Sequence, residues 1–275
     1  MAAENTPNQS VERAVGLLRA LAQSHHGQHA SSLAAAAGLG LSTATRLLAT
    51  LEGLDMVERD PISGAYRLGP LAVTIGGAAT NQSPVFRESR QLMQNLAATV
   101  GLGVNLARRN GDHLEYLFNV EGRHAPRSFT LSGQRNPLHS TGLGKCLLTG
   151  LPTAARRELL PEAELTAFTA RTITSHEALD EEIATILRRG YAKEMEELAL
   201  GRACVAAPIR DHNWSVVAAI SVSGPLSALD LGRREEELGR TVIELADTIS
   251  VALGYLPTGL QASPLTGLIE PEEAR

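Results

Sequence analysis

An α+β chain of two domains is predicted, on three observations. The chain has 275 residues, and a single hydrophobic core stops growing near that size. Its first eighty residues read as three helices followed by two short strands. Residues from about 84 to 253 read as antiparallel hairpins interleaved with helices, the pattern of an α+β domain.

The N-terminal elements follow from periodicity and punctuation. Ser10 is read as the N-cap of a helix running to about Gln23 and ended by His25-His26-Gly27. Val11, Ala14, Val15, Leu18, Leu21 and Ala22 fall on one face of it. Ser31 or Ser32 caps a short Ala-rich helix, Leu33 to Ala37, and Gly38 turns the chain. Ser42 caps a third helix from Thr43 to about Glu52, with Leu47, Leu48 and Leu51 inward. Two short helices, a Gly-containing turn and a third helix match a helix-turn-helix. Met56–Arg59 and Ala65–Leu68 are strand-like runs around the turn formers Asp60 to Gly64, and a hairpin in that place is a wing.

A winged helix-turn-helix over residues 1–80 would seat its third helix in the major groove of double-stranded DNA. Ser42, Thr43, Thr45 and Arg46 would then meet base edges and phosphates, and Arg59 and Arg67 flanking phosphates. Charge gives this reading no help. Residues 1–80 hold five arginines against six carboxylates, and the whole chain carries −5, where phosphate attraction usually leaves a basic footprint. Ser42 or Thr43 alone is more often a cap than a base reader, and Arg46 could pair with Glu52 or Asp55.

The second domain is read as residues 81–256. Ser83 and Pro84 open a helix to about Thr99 that is expected to link the domains. Leu102–Arg108 and Leu114–Val120 pair around Asn110-Gly111, and Ser128–Leu131 is a further strand. Helices are expected from Lys145 to Leu148, over 153–160 and 176–189, and at 231–253, where Leu238, Val242, Leu245, Ile249 and Leu253 step by three and four. Ala203–Ile209 and Ser215–Val222 form another hairpin. The Pro/Gly-rich tail from Pro257 is expected to be disordered.

Several function classes find no motif. No apolar run reaches about 18 residues, so no membrane span is expected. The opening MAAENTPNQS has no leader character, and two cysteines far apart suit a reducing cytoplasm. No Cys/His cluster has zinc spacing, and neither a metal nor a cofactor is expected. The Gly144-Lys145 pair lacks the rest of a phosphate loop, with His139 and Cys146 at its required positions. Cys204 with His139 or His212 could form a nucleophile–base pair, though a Cys in an apolar strand is usually packing. What remains is binding. Backbone N–H groups of Thr141 to Gly144, ahead of a helix, could hold a carboxylate. Ser221 and Ser223 point to one face of their strand, beside Cys204 on the next. Together they could line a pocket.

The ordered set of motifs resembles the IclR family of bacterial transcription regulators over roughly residues 10–255. It comprises Ser10-Val11-x-Arg13-Ala14, Gly38-Leu39, Ser42-Thr43-x-x-Arg46-Leu47-Leu48, Tyr66-Arg67-Leu68-Gly69, Pro137 to Lys145, Gly190-Tyr191, Glu197, Cys204 to Pro208, Asp211 and Ser221 to Pro225. The resemblance implies a GAF-like effector domain and a homodimer or homotetramer that senses a small-molecule effector, commonly an organic or aromatic acid, to control a catabolic operon. It implies no catalysis. It places the ligand against Gly142, Leu143, Glu194, Cys204, Ser221 and Ser223, with Arg202 also lining the pocket. Glu194 stands where Asp or Ser is usual, Arg210 where an aromatic or His is, and Leu41 where a Lys is frequent.

Overall fold

The computed structural model describes residues 8–24, 26–124 and 132–256. The chain divides after Gln82 into two compact units. His25, the strand expected at Ser128–Leu131 and the tail from Pro257 lie outside the described residues.

The first unit runs α1 (Gln9–Ala22), α2 (Ala30–Ala36), α3 (Leu41–Gly53), β1 (Val57–Arg59), β2 (Tyr66–Leu68) and α4 (Pro70–Gln82). Leu17, Leu21, Leu33, Ala44, Leu48 and Tyr66 meet in its core. The helix starts differ from the hydroxyl residues expected to cap them. Asn8 caps α1, its Oδ1 accepting the N–H groups of Ser10 and Val11. α2 starts after His29, and α3 after Gly40, with no side-chain cap on either. Gly40 is already extended, and its carbonyl accepts the Ala44 N–H at 3.1 Å. The helical bonds therefore begin before Ser42, and its hydroxyl is released to the first exposed turn.

α4 was not expected from the sequence. Its residues, PLAVTIGGAATNQ, carry no charge and no helical apolar stripe, and none of them is buried. Leu71, Val73 and Ile75 are exposed.

The second unit comprises α5 (Pro84–Val100), β3 (Gly103–Asn110), β4 (His113–Val120), β5 (Arg135–Pro137), α6 (Gly142–Leu148), α7 (Thr153–Leu159), α8 (His176–Arg189), β6 (Ala192–Met195), β7 (Arg202–Arg210), β8 (Val216–Pro225), α9 (Leu226–Leu229) and α10 (Leu231–Ala252). The described strands form one antiparallel sheet in the order β5-β4-β3-β8-β7-β6. The β3–β4 turn is Gly111-Asp112, one residue later than expected, because Asn110 still pairs with His113. The helix expected to link the domains, α5, buries Val85, Phe86, Met93 and Ala97 within this unit.

The sheet's two-residue alternation sorts its side chains into two cores. Val104 and Leu106 of β3, Val205 and Ala207 of β7, and Ile220 and Val222 of β8 pack with α5 and α10. From α10, Leu238, Val242 and Ile249 are fully buried there, each worth roughly 1.5–3 kcal/mol. Ala107, Ala206 and Ala219 face the other way, onto α6 and α8. Every residue of α6 is buried. At one end of that second face, polar side chains replace apolar ones.

Candidate functional site

In the first unit, α3 offers a mixed polar surface. Ala44, Leu48 and Leu51 anchor it inward, which turns Ser42, Thr45 and Arg46 to solvent and leaves Thr43 half-buried. Thr45 donates its hydroxyl proton to the Leu41 carbonyl at 2.9 Å. Among the described residues Arg46 has no carboxylate partner, neither Glu52 nor Asp55. The wing arginines are more committed. Arg67 pairs with Glu58 at 3.2 Å and Asp60 at 3.4 Å. Arg59 donates to the Gly64 carbonyl and lies over the Tyr66 ring. Asp60 organises the wing loop, accepting from the N–H groups of Ile62 and Ser63 and from the Ser63 hydroxyl.

In the second unit, the polar end of the sheet encloses a cavity of about 120 Å³. Register builds it: Cys204 pairs with Ser223 and with Glu194, while Asn105 pairs with Ser221. Of the residues proposed from sequence, Thr141, Leu143, Glu194, Arg202, Cys204, Ser221 and Ser223 line this cavity. Gly142 and Gly144 do not. Gly142 passes so close to Cys204 that an added Cβ would lie 2.7 Å from its sulfur. A Cβ on Gly144 would collide with the backbone of Leu138. Both glycines permit close packing behind the cavity. The Thr141 hydroxyl is also spent locally, donating to the Pro137 carbonyl and accepting the Gly144 N–H.

No local pattern singles out Asn105, Tyr116 and Asn136, which also line the cavity. They enter from β3, β4 and β5, and only long-range strand register brings them there. Asn136 donates to the Tyr116 phenol oxygen at 3.2 Å, and burial pushes that phenol up to about 12, so it keeps its proton. Arg202 has no carboxylate partner among the described residues.

The acidic side of the cavity is Glu194. Its Oε1 accepts the Glu197 N–H at 2.7 Å. Burial pushes its carboxyl up to about 6, only partly offset by that hydrogen bond, and the Glu197 charge adds to the rise. A carboxyl raised in the folded state stabilises the fold fully below its unfolded value, and that contribution is lost as pH rises through about 6. Glu194→Gln mimics the protonated form. It is expected to stabilise the second unit by about 2 kcal/mol at pH 7.5, from about 1.4 kcal/mol per pKa unit, and to change little at pH 4. Urea unfolding at both pH values checks this; equal effects at both would contradict it.

Neither cysteine is an activated nucleophile. Burial raises the Cys204 thiol well above its ordinary value, with the Glu194 charge adding to the rise, and pushes Cys146 up to about 12. His139 points its Nε2 at the Thr166 carbonyl, and His212 sits in the β7–β8 turn. The pairing of Cys204 with either histidine is not formed.

A winged helix-turn-helix in one unit, and a buried polar cavity in the other, define a ligand-responsive transcription regulator. Residues 10–61 match the family model of the IclR helix-turn-helix domain, and residues 77–251 that of the bacterial transcriptional regulator IclR C-terminal region. The chain belongs to the IclR family of bacterial transcription regulators, and such proteins are not enzymes. It is 35% identical over 249 residues to the HTH-type transcriptional repressor AllR of Klebsiella pneumoniae, covering 90% of this chain and 91% of that one. It is 33% identical to the HTH-type transcriptional regulator BhcR of Paracoccus denitrificans, covering 89% and 87%. The crystal structure of the IclR transcriptional regulator from Alicyclobacillus acidocaldarius superposes with a TM-score of 0.81 at 26% identity, covering 90% of this chain and all of that one. Among the described residues no single helix is long and apolar enough to cross a membrane.

Proposed function

We propose that this protein represses a catabolic operon and is controlled by a short aliphatic carboxylate bound in the cavity between Arg202 and the Ser221/Ser223 pair. One observation carries the choice of ligand: an unpaired guanidinium and two serine hydroxyls line the same cavity. Such donors suit an anion with two acceptor oxygens. The cavity is small, about 120 Å³, which favours a short acid. Repression is the reading favoured by the similarity to AllR, which is a repressor.

The working form is a homodimer in which α4 meets its counterpart. Its uncharged surface, with Val73 76% exposed, suits burial against a second copy. Two copies would present two α3 helices to half-sites about one DNA turn apart. This compensates for a head domain with no net positive charge.

A thermal-shift series on the full chain tests the ligand class. Acetate, glycolate, propionate, butyrate and benzoate are the probes, and a ligand selective for the folded state raises the melting temperature by mass action. A dose-dependent rise with short acids exceeding that with benzoate is expected; no rise with any of them would contradict the proposal. For the DNA side, Arg46→Ala is expected to weaken binding to a genomic fragment selected by the protein by about 1–3 kcal/mol, with a smaller loss on random DNA. Equal losses on both would reduce Arg46 to a phosphate contact.

A further inference from the structure

Serine hydroxyls have no fixed polarity, since each can donate one hydrogen bond or accept two. Whether Ser221 and Ser223 greet an anion or a neutral ligand depends on what already occupies their oxygens. Asn105 occupies both. Its Nδ2 donates to Ser223 Oγ at 2.8 Å and to Ser221 Oγ at 3.3 Å, using its two N–H bonds. Among the described residues no acceptor takes either serine proton.

The direction of the Asn105 amide is itself held. Asn119 Nδ2 donates to Asn105 Oδ1 at 2.9 Å, so the carbonyl end of Asn105 faces β4 and its amino end faces the serines. Strand register fixes the row, because Asn119 pairs with Asn105 and Asn105 with Ser221 across β4, β3 and β8. Asn105 and Ser221 are almost wholly buried, so water does not compete freely for these bonds. Asn119 is half-buried and does not line the cavity.

We infer that the Asn119–Asn105 relay sets the polarity of the cavity, turning the Ser221 and Ser223 protons toward the ligand and thereby selecting anions over neutral ligands of the same shape. This rests on the carboxylate reading above and assigns roles to two residues outside it. Asn105 is a specificity-determining residue through the serines; Asn119 is a positioning residue one step further out. A protein without the relay could rotate both hydroxyls, and their oxygens would then accept from an alcohol or amide.

Asn119→Asp is the discriminating variant. It nearly preserves shape, but its carboxylate has no proton for Asn105 Oδ1 and accepts from Asn105 Nδ2 instead. The Asn105 amide then turns over, the serines donate to its oxygen, and the cavity meets the ligand with acceptors. Asn119→Ala removes the anchor without adding charge and serves as the second variant. Affinities are measured by calorimetry on the full chain. The probes are acetate, glycolate, propionate and butyrate, each beside its own neutral amide, and melting curves confirm that each variant folds.

The wild type is expected to prefer the carboxylate over its amide at least tenfold. Asn119→Asp is expected to lose at least tenfold on the carboxylate without losing affinity for the amide, and Asn119→Ala to move the same way by less. A parallel loss on both ligands, or an unchanged preference in both variants, would overturn the relay and leave the carboxylate reading standing. Wild type that binds none of the four acids would overturn that reading and the relay with it.

Discussion

Lys145→Met is expected to destabilise the second unit by about 3–5 kcal/mol, the cost of removing one partner from a buried ion pair. Lys145 is 1% exposed, on a helix with no exposed residue. Its ammonium donates to Glu197 Oε1 at 2.6 Å and the Lys193 carbonyl at 3.1 Å, and lies 3.3 Å from Glu182. Burial works against that charge, but Glu197 and Glu182 outweigh it and hold Lys145 above the ordinary lysine range. Without it, Glu197 loses its cation and Glu182 keeps only the more distant Arg189, at 3.8 Å. The Glu197 carboxyl, already raised by burial, would then rise further, so the variant should recover stability as pH falls and it takes up a proton. Adding Glu197→Gln should restore part of the loss, because the two residues share one interaction. Trp214 is the only tryptophan in the chain and belongs to this unit, so its fluorescence during urea unfolding isolates the relevant transition. A loss below about 1 kcal/mol would show that the ion cluster contributes little beyond filling space.

Ser221→Ala with Ser223→Ala is expected to weaken carboxylate binding at least 100-fold. A hydrogen bond to a charged group contributes about 1.5–3 kcal/mol, and two are removed together. Each substitution removes one oxygen and leaves the Cβ as a methyl group, a small change of volume, so the fold should survive. Asn105 loses both its acceptors in this variant, which should cost stability on the order of 1 kcal/mol or more. DNA affinity without ligand should be unchanged. Calorimetry of the double variant against the tightest of the short acids measures the effect; retention of wild-type affinity would remove the serines from the site.

Legibility in the sequence tracked the range of the interaction. Helix α10 announced itself through Leu238, Val242 and Ile249, and α8 matched its expected span at His176–Arg189. Both obey local periodicity. Helix α4 escaped because Gly76-Gly77 reads as a break and its apolar residues form no stripe. Strand β6 escaped because four residues give too short an alternation. The caps went wrong where a hydroxyl lay one or two residues inside the true start, as at Ser10 and Ser42.

The cavity divides in the same way. Ser221 and Ser223 could be placed on one face from the two-residue period alone. Gly142 and Gly144 looked like ligand contacts, yet their lack of side chains serves contacts with Cys204 and Leu138. Asn105 and Asn119 carry no local signal at all. Their significance depends on β3 lying between β4 and β8, with a register that a one-residue slip would destroy.

The link between cavity and DNA is tested most directly by fluorescence anisotropy of a labelled genomic fragment selected by the protein, titrated in the presence of the short acid that raises its melting temperature most. A ligand can shift DNA affinity only through different affinities for the free and DNA-bound forms, and the coupling is reciprocal. The prediction is a weakening of DNA binding by about 5- to 150-fold, the usual range of such coupling, abolished by the Ser221→Ala/Ser223→Ala pair. Unchanged DNA affinity at saturating acid, with the acid demonstrably bound, would contradict control of DNA binding by this cavity.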